Sequence, residues 1–280
     1  MNSRSTRSAL YIPGSKPRAL GKARGLPCDV ILFDLEDAVA PLAKVEARTI
    51  LRDALAEGGY GHRLRLVRIN GLDTEWGEDD ARAAAGMACD GVLVPKVGSP
   101  ADLDAVAALV PDLPLWAMME TPLGVLNAQT MAAHPRLQGF VMGTNDLAKD
   151  LGTRTRGAVT TALQHCLLAA RAAGILCIDG VYNAYQDEAG LRAECEDGRD
   201  MGFDGKSLIH PAQLDVANAI FGPTEADIDL ARRQVAAFDA AVAEGQGVAV
   251  VDGRIVENLH VVTARATLAK ADAIAALERT

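Results

Sequence analysis

WAMMETPLGVLNA, residues 116–128, runs apolar to Met119, breaks at Glu120 and turns at once through Thr121, Pro122 and Gly124. A carboxylate at the end of an apolar run is costly to bury unless something pairs with it. The same grammar recurs along the chain. Short β-like runs stand at ALYIPG (9–14), VILFDLED (30–37), LRLVRIN (64–70), GVLVPKV (91–97), LPLWAMMET (113–121), LQGFVMGTND (137–146), ILCIDGVYN (175–183) and DGKSLIHP (204–211). Most of them end in a polar or charged residue.

Between these runs lie Ala-, Leu- and Arg-rich segments of helical type, such as KVEARTILRDALAEG and VTTALQHCLLAARAAG, several of which stop at glycine. Nearly continuous apolar strands suit a parallel sheet covered on both faces. Eight strands alternating with helices predict an α/β fold of the TIM (β/α)8 barrel type. A doubly wound sheet is the alternative, but YIPGSKPRALG after the first strand is not a dinucleotide glycine fingerprint.

After Pro211 the pattern changes. TEADIDLARRQVAAFDAAVAEG reads as a helix, QGVAVVDGRIVENLHV as a hairpin turning at Asp252-Gly253, and ARATLAKADAIAALE as a closing amphipathic helix. The expected division is a barrel over residues 1–220 and a C-terminal helical and hairpin lid over residues 221–280.

Composition sets limits on function. Of the 280 residues, 49% are hydrophobic and 23% charged, which is ordinary for a globular chain with a large core. The net charge of −9 disfavours a general nucleic-acid surface, so an anionic ligand needs a local basic patch. No apolar run approaches the roughly 20 residues that span a bilayer. The N-terminus lacks a signal-peptide core. The five cysteines, at 28, 89, 166, 177 and 195, are scattered and form no C-x-x-C pair. Buried, reduced thiols and a cytoplasmic location follow as expectations.

In a (β/α)8 barrel the chemistry sits at the C-terminal ends of the strands. Those ends carry Asp34, Glu36 and Asp37, then Arg68 and Asn70, Lys96, Glu120, Asn145 and Asp146, Asp179 and Asn183, with Lys206 and His210 on the eighth. Converging carboxylates repel one another, and a divalent cation resolves the repulsion. Oxygen ligation by one or two carboxylates, completed by water and substrate, suits Mg²⁺. Glu120 and Asp146 are the first choice of ligands. A structural ion pair for Glu120 and a helix N-cap for Asp146 are the plainer alternatives.

Arg68 offers a planar fork for a carboxylate or a thioester oxygen, or a partner for the DLED segment. Asp37 is a general base or a helix-start residue. Glu36 orients Arg68 or binds a metal-bound water. Ser15 is the expected N-cap of the helix after strand one, with Pro17 early in it. Lys16, Arg18, Lys22 and Arg24 form a local basic patch there, which reads as a phosphate site or a solvated helix face. Thr144 and Asn145, beside Asp146, are candidate substrate contacts. His210 satisfies backbone carbonyls or stabilises an oxyanion. Motifs of zinc hydrolases, serine hydrolases and P-loop proteins do not occur.

RSALYIPGSKPRALGKA, ILFDLEDAVAPLAKVEAR, VRIN, VPKV, METPLGVLNA, MGTNDLAKDLG, GVYNAYQD and GFDGKSLIHPAQ, taken in order, resemble the citrate lyase β-subunit and malyl-CoA lyase family over nearly the whole chain. The segments LVPDLPLWAMME and GLRAECEDGRDMGFDGK and the tract from Asn258 onward resemble its (S)-malyl-CoA thioesterase branch. The resemblance implies Mg²⁺, or Mn²⁺ in its place, on Glu120 and Asp146. It implies acyl-substrate contact by Arg68, and Glu36 and Asp37 in the outer surroundings of the metal. It places Lys16, Arg18 and Lys22 on CoA phosphates. It also implies a homo-oligomer, often a trimer, whose C-terminal segment reaches a neighbour's site.

One position departs from the pattern. Many lyases of the family carry a catalytic aspartate after the C-terminal hairpin, where GRIVENLH has Glu257. The longer side chain shifts the carboxylate, and displacement of that order changes catalysis. The expected activity is hydrolysis of (S)-malyl-CoA to malate and CoA, with Asp37 or Glu257 activating water. The alternatives are cleavage of malyl-CoA or β-methylmalyl-CoA to glyoxylate plus acetyl- or propionyl-CoA, and a citrate lyase β-type subunit idle outside a larger complex.

Overall fold

The structure is a computed structural model and describes residues 4–278. Eight strands close into a barrel in chain order: β1 Ser8–Pro13, β2 Val30–Asp34, β3 Leu64–Arg68, β4 Gly91–Val94, β5 Leu115–Met119, β6 Leu137–Met142, β7 Leu176–Asp179 and β8 Gly205–Leu208. Every neighbouring pair is parallel, and β1 closes on β8 through Ser8 opposite Lys206 and Leu10 opposite Leu208. Each predicted strand is present, with ends within a few residues of the expected ones.

Side chains alternate across a strand, so each barrel strand feeds two apolar layers. Ala9, Val30, Leu32, Leu64, Leu66, Leu93, Trp116, Met118, Val141 and Ile178 fill the barrel interior. The alternate residues, among them Leu10, Ile31, Phe33, Val67, Ala117 and Phe140, pack outward against the helices. Trp116 occupies the interior because Gly139 on the next strand has no Cβ; one built there would stand 2.4 Å from the indole. The β5–β6 register shifts at the same place, between Leu115 and Trp116.

The first helix, Pro17–Ala23, corrects an expectation. Lys16, not Ser15, occupies the N-cap position, and no side chain caps it. The turn closed by the Lys16 N–H on the Pro13 carbonyl at 3.2 Å carries the chain past Ser15 before the helix begins. Pro17 then starts the helix without needing an acceptor.

Beyond the helix Leu214–Phe221, the helices Glu225–Ala243 and Asn258–Glu278 pack side by side. They are joined by β9 Ala249–Val251 and β10 Arg254–Val256, an antiparallel hairpin. Its turn residues Asp252 and Gly253 both take positive φ, 50° and 74°, as a two-residue hairpin turn demands. Leu277 lines a cavity with Arg7, Cys28 and Asp29, at the N-terminal ends of β1 and β2. The last helix therefore ends beneath the barrel, away from the C-terminal ends of the strands. Among the described residues no helix is long and apolar enough to cross a membrane.

Candidate active site

The inward faces of three strands show how the site is built. They read Val30–Leu32–Asp34, Leu64–Leu66–Arg68 and Trp116–Met118–Glu120, apolar below and charged at the C-terminal end. Period-two alternation places Asp34, Arg68 and Glu120 on one level, at the floor of a cavity of about 320 Å³. Tyr11, Asp37, Met118, Thr144, Asn145 and Asp146 help line it.

Arg68 is the hub. Its Nε and Nη2 donate to the two Asp34 carboxylate oxygens at 2.8 and 2.6 Å. Its Nη1 lies 2.8 Å from Glu36 Oε2 and 3.6 Å from Asp37 Oδ2. The Glu36 contact is an ion pair without hydrogen-bond alignment, which leaves that oxygen buried and unsatisfied. Asp34 also accepts from the Glu36 and Ala38 amides at 2.9 Å each, and so folds the DLED turn around the guanidinium. The DLED partnership foreseen for Arg68 is present, and its principal member is Asp34, the first residue of that segment. The two stand directly opposite in the β2–β3 register, which the chain alone does not spell out.

The same turn is anchored from below. Lys44 Nζ donates to the Leu35 and Glu36 carbonyls at 3.1 and 2.8 Å and to Asn70 Oδ1 at 2.6 Å. Asn70 in turn donates to Asp80 at 2.6 Å. The rim candidate Asn70 is therefore a buried strut.

Glu120 is 3% exposed. Lys96 takes a left-handed backbone, φ 51°, and from it directs its N–H to Glu120 Oε1 at 2.8 Å. A non-glycine residue in that region is uncommon and is held by its surroundings. The Lys96 ammonium lies 3.4 Å from Glu36 Oε1. Asp146 sits in the first turn of the helix Thr144–Asp150, whose N-cap is Gly143, so Asp146 is not the cap.

Electrostatics mark the cluster as short of positive charge. Burial, and then the charges of Glu36 and Asp146, push the Glu120 carboxyl up to about 7, against the opposing pull of the Lys96 amide and Arg68. Burial, with Asp37 and Asp34 nearby, also raises Glu36 despite Arg68 and Lys96. Among the described residues no group of three His, Cys, Asp or Glu side chains converges as a ready-made metal cage. Two carboxylates on an open cavity, with a third close by, fit a hard divalent cation that keeps room for water and substrate oxygens.

Other predicted residues lie elsewhere. Lys16, Arg18 and Lys22 are exposed at the end of β1 and do not line the cavity. Glu257 is exposed at the start of the last helix, its amide donating to His260 Nδ1 at 3.0 Å, and is absent from the cavity wall. Thr144 and Asn145 line both this cavity and an adjoining one of about 490 Å³, and Asn145 exchanges hydrogen bonds with Asn183 at 2.7 and 3.2 Å. His210 Nδ1 accepts from the Ala212 amide at 3.2 Å: it serves the backbone, but an N–H rather than the carbonyls expected. The five cysteines are free.

A closed parallel barrel with an arginine–carboxylate cluster at its C-terminal mouth defines a TIM-barrel enzyme. The chain belongs to the HpcH/HpaI aldolase/citrate lyase family, whose model matches residues 7–211. It is 67% identical over 273 residues to a (3S)-malyl-CoA thioesterase of Cereibacter sphaeroides strain KD131, covering 96% of each chain. It is 34% identical over 307 aligned positions to an L-malyl-CoA/beta-methylmalyl-CoA lyase of the same species, strain ATCC 17029, covering 98% of this chain and 96% of the lyase. Among solved structures, CitE of Mycobacterium tuberculosis in complex with magnesium, acetoacetate and coenzyme A superposes with a TM-score of 0.80 at 30% identity. That match covers 97% of this chain and 100% of the other.

Proposed function

We propose that this chain hydrolyses (3S)-malyl-CoA to malate and free CoA. The reading is carried by its near-full-length identity to the thioesterase of that activity. The lyase relative, at half that identity, supports carbon–carbon cleavage only as a chemistry of the family.

Glu120 and Asp146 would hold Mg²⁺, with Mn²⁺ as a substitute, and a cation held there would supply Lewis-acid chemistry to the acyl substrate. Arg68, fixed by Asp34, stabilises charge developing on the thioester oxygen. Asp37 projects into the cavity with a side chain 63% exposed, where it can take a proton from water. Lys16, Arg18 and Lys22, exposed just outside the mouth, attract the CoA phosphates. Thr144 and Asn145 contact the acyl group from the β6 side.

The chain divides functionally into a catalytic barrel, residues 1–220, and an assembly segment, residues 221–280. The hairpin, the residue before it and the start of the last helix leave Val248, Val250, Ile255, Leu259 and Val262 between 46 and 67% exposed. An apolar strip of that kind suits burial in a homo-oligomer, trimer or a multiple of it, where Glu257 would reach a neighbour's cavity as a second candidate base. Five free thiols suit the cytoplasm.

The deciding experiment incubates purified protein with Mg²⁺ and (3S)-malyl-CoA and follows free thiol and glyoxylate together. Thiol without glyoxylate is expected. Glyoxylate without thiol would replace the proposal with the lyase reading, and neither product would point to another acyl group or a missing partner chain.

A further inference from the structure

We infer that the hydroxyl of Tyr11 is a hydrogen-bond donor to the thioester carbonyl oxygen of the substrate, acting beside Arg68. The inference rests on the proposed acyl-CoA reading and adds a residue to its machinery.

Tyr11 lies on β1, two residues beyond Ala9, on the strand face that fills the barrel interior. It pairs with Leu32, one inward layer below Asp34, as Met118 stands one layer below Glu120, and its side chain is part of the cavity wall. The ring packs against the Arg68 guanidinium, whose Cζ stands 4.9 Å from the ring centroid. That contact orders the ring and sets the phenol beside the cationic group of the site.

The hydroxyl has a poor partner for so enclosed a position. It donates to the Met118 thioether sulfur at 3.4 Å, and a thioether is a weak acceptor. Stronger acceptors stand close by, most of their oxygens already engaged, and the phenol is hydrogen-bonded to none of them. Asp34 accepts from Arg68 and from two backbone amides. Glu120 Oε1 accepts from Lys96. A phenol inside a reaction cavity, held only by sulfur, is free to exchange that contact for a better acceptor.

The chemistry selects which acceptor. Burial, with the charges of Asp34, Glu120 and Glu36, pushes the phenol well above its ordinary range, against the pull of Arg68. Tyr11 therefore stays neutral, donating a hydrogen bond and not acting as a base. In hydrolysis, a base takes one proton from water while the water oxygen bonds the thioester carbon. The carbonyl π pair moves onto oxygen. It returns as the C–S bond breaks, and the departing sulfur takes up the proton. The charge that appears transiently is on the carbonyl oxygen, where a fixed neutral donor stabilises it without transferring its own proton. Arg68 shares its charge with Asp34, Glu36 and Asp37, which leaves work for a second donor.

Tyr11→Phe removes the hydroxyl and keeps the ring against Arg68. The expected result is a kcat lower by about 10- to 100-fold, a KM within about threefold of wild type and an unchanged Tm. A wild-type kcat in this variant, or a change confined to KM, would overturn the assignment. The product formed by the wild type, thiol or glyoxylate, tests the function reading separately, since the carbonyl oxygen gains charge in either reaction. A second measurement does not depend on turnover. The infrared stretch of ¹³C-labelled acetyl-CoA bound to wild type should lie below that of the Tyr11→Phe complex. Equal frequencies would show that Tyr11 does not reach the carbonyl.

Discussion

Two ion networks occupy the same rim of the barrel and are built from the same residue types, yet they differ in kind. On the β2–β6 side, Arg68 and Lys96 face five carboxylates, Asp34, Glu36, Asp37, Glu120 and Asp146. On the β7–β8 side, Arg156 and Lys206 face three, Asp179, Glu194 and Asp197. Asp179 there is bound from both sides, by the Arg156 fork at 3.0 and 2.9 Å and by Lys206 Nζ at 3.0 Å, with both Asp179 and Lys206 fully buried. Lys206 completes its donors on the Gly180 carbonyl at 2.6 Å and Glu194 at 2.7 Å. The first network is left with Glu120 pushed up to about 7 and a Glu36 oxygen without a hydrogen bond. A charged residue at a barrel strand end is therefore not by itself a sign of chemistry. A large excess of one sign over a cavity is: five carboxylates to two cations in the first network, against three to two in the second, which also reaches a cavity wall through Arg156 and Glu194.

The largest expected effect separates the two networks. Glu120→Gln should lower kcat about 10³-fold or more, since it removes a proposed metal ligand. In the metal-free protein it should leave Tm unchanged or raised, because it relieves repulsion between buried carboxylates. Thiol release and thermal unfolding in EDTA check both halves. A fall in metal-free stability comparable to the loss of activity would place Glu120 among the structural residues instead. Asp179→Asn should do the reverse. It removes the carboxylate shared by the buried Lys206 and the part-buried Arg156, leaving them only Glu194 and the exposed Asp197, and should cost about 3–5 kcal/mol in urea unfolding. An Asp179→Asn protein of wild-type stability would contradict the structural role given to the β7–β8 network.

The barrel was legible because its signal is local. Eight apolar runs with polar ends, spaced by helical segments, are a property of the chain itself, as is the Asp252-Gly253 hairpin. Glu120, Asp146 and Arg68 were legible because they end such runs. What stayed hidden depends on pairing across strands. Asp34 holds Arg68 only once β2 and β3 are in register. Asn70 becomes a strut only when Lys44, twenty-six residues away, reaches it. Asp179 and Lys206 look as reactive in the sequence as Glu36 and Lys96, and only their mutual burial shows otherwise. Glu257 is the extreme case, since its proposed partner lies on another copy of the chain.

A smaller effect sharpens the contrast through pH. Glu120 is raised in the folded state, so between its ordinary value and about 7 the folded chain binds a proton that the unfolded chain does not. Its contribution to metal-free stability therefore falls as pH rises through that window and levels off above it. A cation competes with the same proton. Apparent Mg²⁺ affinity should weaken about tenfold per unit below pH 7. The rise of Tm on adding Mg²⁺ should accordingly be larger at pH 8 than at pH 5.5. In Glu120→Gln that difference should shrink, and its persistence at full size would remove Glu120 from the metal site.

The smallest effect tests where the β7–β8 network ends. Asp197 meets Arg156 Nε at 3.0 Å, but its side chain is 51% exposed. Water screens it, and Arg156 keeps its fork on Asp179 without it. Asp197→Asn should cost less than about 1 kcal/mol and leave kcat unchanged. Asp37, the corresponding exposed member of the other network at 63%, is weakly tied to Arg68 in the same way, at 3.6 Å. Yet it stands in the cavity wall. If exposure alone governed importance, the two positions would tolerate substitution equally. A loss of activity on Asp197→Asn equal to that on Asp37→Asn would erase the distinction between a carboxylate that faces a reaction cavity and one that faces only its partner.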